Sequence, residues 1–323
     1  MYRYIIKRLL LAIPTLAGAA ALVFVLMRAI PGDVCVIRLG SGGAHVDPAS
    51  VEACRLELGL NDPLIVQFFD FLWNYLTFNF GTSMWSGQPV AREIAVRLPV
   101  SLEIALMASV IAILIAIPLG TISALKENTW LDHVVRMVAI AGIATPSFWL
   151  GIMSLVLVLD ITYLATGKPW MPPIDYVPLW QDPIRNLSVV LLPAITVGYR
   201  YSAVTMRMTR SAMLEVLRED YIRTARAKGL LEQIIINRHA LKNALLPVVT
   251  LIGIEFAFLI GGLVVTEQVF NLNGIGRLLV LAVQNQDNTL TQALVMLVVA
   301  IFVLTNLVVD LLYAWLDPRI RFS

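Results

Sequence analysis

Six long apolar runs constrain this 323-residue chain more than any other feature of it. A helix needs about 20 such residues to cross roughly 30 Å of hydrocarbon. The candidate spans are residues 9–27, 102–125, 137–159, 187–206, 245–265 and 293–315. The fourth is the least continuous, because Tyr199, Arg200 and Tyr201 interrupt it. With 59% hydrophobic and only 14% charged residues, and a mean hydropathy of +0.80, the chain lacks the residues for an ordinary solvated surface. The expected fold is therefore all-α, with six transmembrane helices. Basic residues precede the first run, as they do in a secretory signal. The run is long for one, however, and no small-x-small site precedes Arg28-Ala-Ile-Pro31, so a retained helix is expected.

The net charge of +2 is too small to argue for nucleic acid, and no nucleic-acid partner is expected; the placement of the charges is what informs. With the N-terminus inside, the inner segments hold Arg3, Lys7, Arg8, Lys126 and Arg136, then the dense run from Arg200 to Lys242, then Arg319 and Arg321. The outer segments mix their basic residues with at least as many acids. This distribution predicts six helices with both termini on the cytoplasmic side.

Three regions follow. Residues 1–30 form the inner end and first helix, 31–100 an external segment, and 101–323 a core of five helices with a basic inner segment at 207–243. Within the external segment Leu64, Phe68, Phe69, Leu72, Tyr75 and Leu76 recur at helical spacing, which predicts an amphipathic helix. Cys35 and Cys54 also lie there. A disulfide between them would contribute about 3 kcal/mol by loop entropy, and two free thiols fit the sequence equally well. Neither cysteine has metal-ligand spacing. The stretch from Asp160 to Asn186, rich in proline and carrying Trp170 and Trp180, reads as an external loop.

No phosphate-cradling G-x-x-x-x-G-K-[ST] loop occurs, since Gly167-Lys168 is followed by Pro169. The three histidines are scattered, and neither a zinc pattern nor a nucleophile elbow appears. These absences argue against an enzyme and predict no cofactor bound by the chain. The inner segment is different. A short helix ending at Gly229, a left-handed cap position, is followed by a second helical piece over 231–241. Helix, bend and helix suit docking in a groove of a partner, although charge alone would also satisfy the positive-inside rule.

Tyr221-Ile-Arg-Thr-Ala-Arg-Ala-Lys-Gly229, followed by Arg238-His-Ala-Leu-Lys-Asn-Ala-Leu-Leu-Pro247, resembles the cytoplasmic "EAA" loop of ABC importer permeases in its dipeptide and oligopeptide form. Phe80-Gly-Thr-Ser, Ala144-Thr-Pro-Ser-Phe-Trp-Leu-Gly151, Thr209-Arg-Ser-Ala-Met-Leu-Glu-Val216, Gly274-Ile-Gly276 and Leu316-Asp-Pro-Arg-Ile-Arg321 agree with it, so the resemblance spans nearly the whole chain. Arg223-Thr224-Ala225 stands where the general pattern has Glu-Ala-Ala, which narrows the resemblance to the peptide-permease form. It implies a type I ABC importer permease fold and a B-type subunit forming half of a translocation pathway. The implied partners are a second, homologous permease, two ATPases carrying ATP and Mg, and an external solute-binding protein. Tyr221, Arg223, Thr224, Ala225, Arg226, Lys228 and Gly229 would form the ATPase-coupling loop. A secondary transporter or channel without ATPases is the alternative, and it would predict inverted repeats that the sequence does not display. A membrane scaffold is a third reading, distinguished by its lack of uptake.

Glu255 falls near the middle of the fifth span, where a carboxylate costs about 3 kcal/mol unless it faces protein or water. At 1.5 Å per residue, Arg200 lies within about 4 Å of its depth. An ion pair between them, structural or lining a peptide pathway, fits these depths. Asp310 and Glu267 read as structural hydrogen-bonding residues.

Overall fold

The computed structural model describes residues 2–29, 33–40 and 47–316. Arg319 and Arg321, expected on the inner side, lie outside these residues, as does most of the 316–321 motif. The described chain runs α1 (Tyr2–Ala29), α2 (Val34–Gly40), α3 (Pro48–Glu57), α4 (Leu64–Leu76), α5 (Val90–Leu125), α6 (Trp130–Ala144), α7 (Ser147–Thr166), α8 (Pro183–Leu217), α9 (Asp220–Ala227), α10 (Glu232–Ile234), α11 (Leu241–Gly262), α12 (Val264–Val269), α13 (Ile275–Gln284) and α14 (Asn288–Leu316). A π-helical turn, Ile235–Ala240, fuses α10 to α11. Among the described residues six helices are long and apolar enough to cross a membrane.

Helices α5 and α8 form the spine. At 36 and 35 residues they extend about 50 Å, well beyond the hydrocarbon thickness. Small residues let them approach. A Cβ on Gly198 would sit 2.8 Å from the Ala108 carbonyl, and one on Gly120 would sit 2.8 Å from that of Met206. Between them lie Val100, Ile104, Ala105, Ala108, Val190 and Val197, all buried. Close packing through small side chains is how helices associate where lipid removes the hydrophobic incentive.

Three expected boundaries change. The span over 137–159 is two helices, because Pro146 lacks an N–H and biases Thr145 to an extended conformation (ψ 126°). The 15-residue α6 is too short to cross, and α7 supplies the span. Helix α5 begins at Val90, twelve residues before the expected start at 102. Its charged first turns are tied together by an ion pair between Arg97 and Glu93, and hydropathy alone misses them. The external loop shortens to the residues between Thr166 and Pro183.

In the external segment Phe68, Phe71, Leu72 and Tyr75 of α4 turn inward toward α1, with Phe24 and Phe68 edge to face at 5.3 Å. Leu64, Phe69 and Leu76, expected on the same face, are exposed. Apolar residues surround most of α4, so spacing alone did not single out the packed stripe. Cys35 and Cys54 form a disulfide with Cα atoms 5.8 Å apart, joining α2 to α3. Beside it an ion pair links Arg55 to Asp33, and this guanidinium holds the Asp33 carboxyl below its ordinary range.

Candidate functional site

The inner segment is a rigid elbow. Helix α9 ends in a reciprocal cap: the Gly229 amide donates to the Arg226 carbonyl (2.9 Å) and that of Leu230 to the Ala225 carbonyl (3.4 Å). Gly229 has φ +75°, the left-handed conformation expected of it, and a Cβ there would meet nothing within 4 Å. Chain then reverses into α10. Ile222, Ile235 and Ala240 are fully buried against Ala124, Ala212, Met213 and Ala244, fixing both arms of the elbow to the ends of α5, α8 and α11. Each isoleucine buried this way is worth about 1.5–3 kcal/mol.

Polar contacts complete the brace. The Tyr221 hydroxyl donates to the His239 carbonyl at 3.5 Å and accepts from the Asn243 amide at 2.7 Å, tying α9 to the π-helical turn. Arg226 pairs with Glu232 at 2.7 Å across the bend, and Arg223 pairs with Asp220 at 3.3 Å. Ala225 is half-buried, whereas Tyr221, Arg223, Thr224, Arg226, Lys228 and Gly229 are exposed. Leu231 is 71% exposed and Ile234 is exposed beside it, so the elbow presents an apolar tip within a basic surface. Sequence reasoning named the basic residues and missed this tip.

A second set of residues locks the helices that carry the elbow. Asp132, at the start of α6, is wholly buried and accepts from Arg210 Nε (2.8 Å) and Nη2 (2.9 Å), from Ser123 (2.6 Å) and from the Asn128 amide (3.0 Å). Arg210 holds the Asp132 carboxyl well below the usual carboxylate range. Arg218 and Glu127 pair nearby at 3.3 Å. Arg210 belongs to the Thr209–Val216 stretch quoted above, and its pairing with Asp132 gives that residue a role the sequence did not reveal.

At the opposite end Glu267 accepts from Ser101 (2.7 Å) and from the Arg277 amide (2.7 Å), so its carboxylate caps α13 from a neighbouring helix. A Cβ on Gly274 would collide with that carboxylate, and one on Gly276 would sit 2.8 Å from the Val264 amide nitrogen. This accounts for Gly274-Ile-Gly276. Asp287 likewise caps α14 through the Leu290 amide (2.9 Å) and accepts from Ser83 (2.5 Å), anchoring Phe80-Gly-Thr-Ser. The structural role expected of Glu267 is what its contacts describe. Asp310 pairs with Arg8 at 3.0 Å, joining α14 to α1.

Arg200 and Glu255 are not joined. Glu255 accepts from Thr205 at 2.8 Å, and Arg200 is exposed, close enough for its charge to act on Glu255 without forming an ion pair. Among the described residues no cluster of three His, Cys, Asp or Glu side chains could hold a metal.

Membrane-length helices around a braced polar elbow define a transport permease. Two family models match the chain: the N-terminal part of the binding-protein-dependent transport system membrane component over residues 1–105, and the inner membrane component of such systems over 116–322. The chain belongs to this family, and it is a multi-pass inner-membrane protein. A protein of Brucella abortus (strain 2308), provisionally named a peptide transport system permease, is 41% identical over the full length of both chains. The glutathione transport system permease protein GsiC of Pectobacterium atrosepticum is 40% identical, again over the full length of both. A solved inward-facing form of the MetNI methionine ABC transporter matches with a TM-score of 0.52 at 17% identity, covering 68% of this chain and 93% of that one. The fold is that of a type I ABC importer permease.

Proposed function

We propose that the chain is the permease subunit of an ATP-driven importer of small peptides, including tripeptides of the glutathione kind, with both termini in the cytoplasm. The elbow at residues 220–240 carries this reading. Its arms are buried in the bundle while its tip and basic face are exposed, so a push on the tip is delivered to α5, α8 and α11 rather than absorbed by a loose loop. An ATPase subunit seats on that tip and hydrolyses ATP with Mg at its own site. A second, homologous permease completes the pathway, and an external binding protein delivers the peptide. The full-length relatives named for peptide and glutathione transport support the substrate class.

The test is capture of the ATPase. Gly229→Glu adds a side chain into open space at a cost of about 1–2 kcal/mol for the left-handed backbone, small enough that the permease should still fold and insert while the ATPase no longer copurifies. Unchanged capture by both this variant and one lacking residues 221–229 would remove the elbow as the docking site.

A further inference from the structure

A cavity of about 480 Å³ opens at the end of the bundle away from the elbow, between α5, the loop before α8, and the turn from α12 into α13. Its volume is in the range of small-molecule sites, about 300–1,000 Å³. The floor is apolar, from the buried Val100 and Leu272, and the rim carries the exposed Val96 and opposite charges on separate elements, Asp175 on the loop and Arg277 on α13.

Both rims are built. The Arg277 guanidinium donates to the Asn271 side chain at 2.7 Å, and Asn271 adopts φ +51°, a left-handed conformation that Asn tolerates better than most residues. That backbone turn aims the amide at Arg277 and steadies the guanidinium at the rim. On the other side the Tyr176 hydroxyl donates to Glu103 at 2.6 Å, and Asn186 donates to the same oxygen at 3.0 Å. Glu103 Oε1 and Asn186 Oδ1 are buried acceptors without a donor among the described residues. Asp175 itself is 82% exposed, with one partner, Arg185, at 3.2 Å.

We propose that this cavity is a receiving site for a small zwitterionic peptide: its carboxylate meets Arg277, and its ammonium meets Asp175 and the Tyr176 hydroxyl oxygen, whose proton is held by Glu103 outside the lining. The inference rests on the importer reading and adds to it a site on the permease itself, read by the two termini of the peptide. Apolar side chains of the peptide lie on the floor, which makes few demands on their identity.

The test uses the assembled permease pair in lipid nanodiscs without the binding protein, with trialanine and trialanine amide as probes in saturation-transfer NMR. Trialanine should show contact. The amide, and trialanine with Arg277→Gln, should bind about tenfold more weakly, the effect of losing one charged hydrogen bond. Arg277→Lys should recover part of the loss, separating charge recognition from misfolding. No transfer to trialanine, or equal transfer with Arg277→Gln, overturns the proposal. So does a photo-crosslinker at Leu281 that captures the external binding protein in preference to a diazirine-labelled peptide, since the cavity would then seat a protein loop. Peptide uptake by the whole complex is scored separately. Uptake that survives Arg277→Gln unchanged removes this site and leaves the importer standing, whereas binding without any ATP-driven uptake removes the importer and leaves the site.

Discussion

Arg210→Met should be among the most damaging single substitutions outside the spine. It removes two hydrogen bonds from Asp132 and leaves a wholly buried carboxylate facing only Ser123 and the Asn128 amide. Breaking one side of a buried ion pair costs about 3–5 kcal/mol, most of it the stranded charge. Asp132→Leu should cost a similar amount, because it strands the guanidinium together with Ser123 and the Asn128 amide. Removing both partners costs far less than the sum, so a double-mutant cycle should give a coupling energy of about 2 kcal/mol or more. The assay is unfolding of the purified complex in mixed micelles, followed by tryptophan fluorescence. In the wild type the pair contributes fully above about pH 4, the ordinary range of an aspartate, and fades only as pH falls through the lowered folded value. In Arg210→Met the strongest influence holding the carboxyl down is lost, leaving burial opposed only by Ser123 and the Asn128 amide, so the deficit should shrink as pH falls into the acid range. Additive single effects, or a deficit that does not vary with pH, would refute the assignment of Asp132 and Arg210 as a buried pair.

Other expectations follow from the same contacts. Gly274→Ala should displace Glu267 from the start of α13 and lower stability, measured in the same unfolding assay, while Gly18→Ala, which meets nothing within 4 Å, should be silent. Gly120→Leu should separate α5 from α8 and abolish assembly, seen as loss of the complex on size-exclusion chromatography. Replacing Cys35 and Cys54 by serine should cost about 3 kcal/mol locally, read as faster amide exchange over α2 and α3 with the inner elbow unaffected.

The apolar runs made the membrane helices legible, and the basic segment with Gly229 made the elbow legible, because both signals are local in sequence. Pro146 was visible too, yet averaging hydropathy across it merged α6 with α7. The start of α5 was hidden for a complementary reason: Arg92, Glu93 and Arg97 depress hydropathy in a helix that projects beyond the membrane. What the sequence could not supply was azimuth. Asp132 and Arg210 are 78 residues apart, and Ser101 and Glu267 are 166 apart; only packing of α5 against its neighbours turns their side chains together. Sequence depth could not say either that Glu255 takes its hydrogen bond from Thr205 rather than from Arg200. Motifs such as Gly274-Ile-Gly276 were recognisable as patterns, and their physical cause, a carboxylate occupying the space of a Cβ, appears only in three dimensions.

The central claim is that force enters at the elbow and drives import. Its most direct measurement is peptide uptake into proteoliposomes holding the complete complex, with the binding protein supplied outside and ATP on the elbow side. Uptake should require ATP and fall to background with Gly229→Glu, while the amount of inserted permease stays constant. Uptake that persists without ATP, or that continues at the wild-type rate with the elbow disabled, would contradict the account.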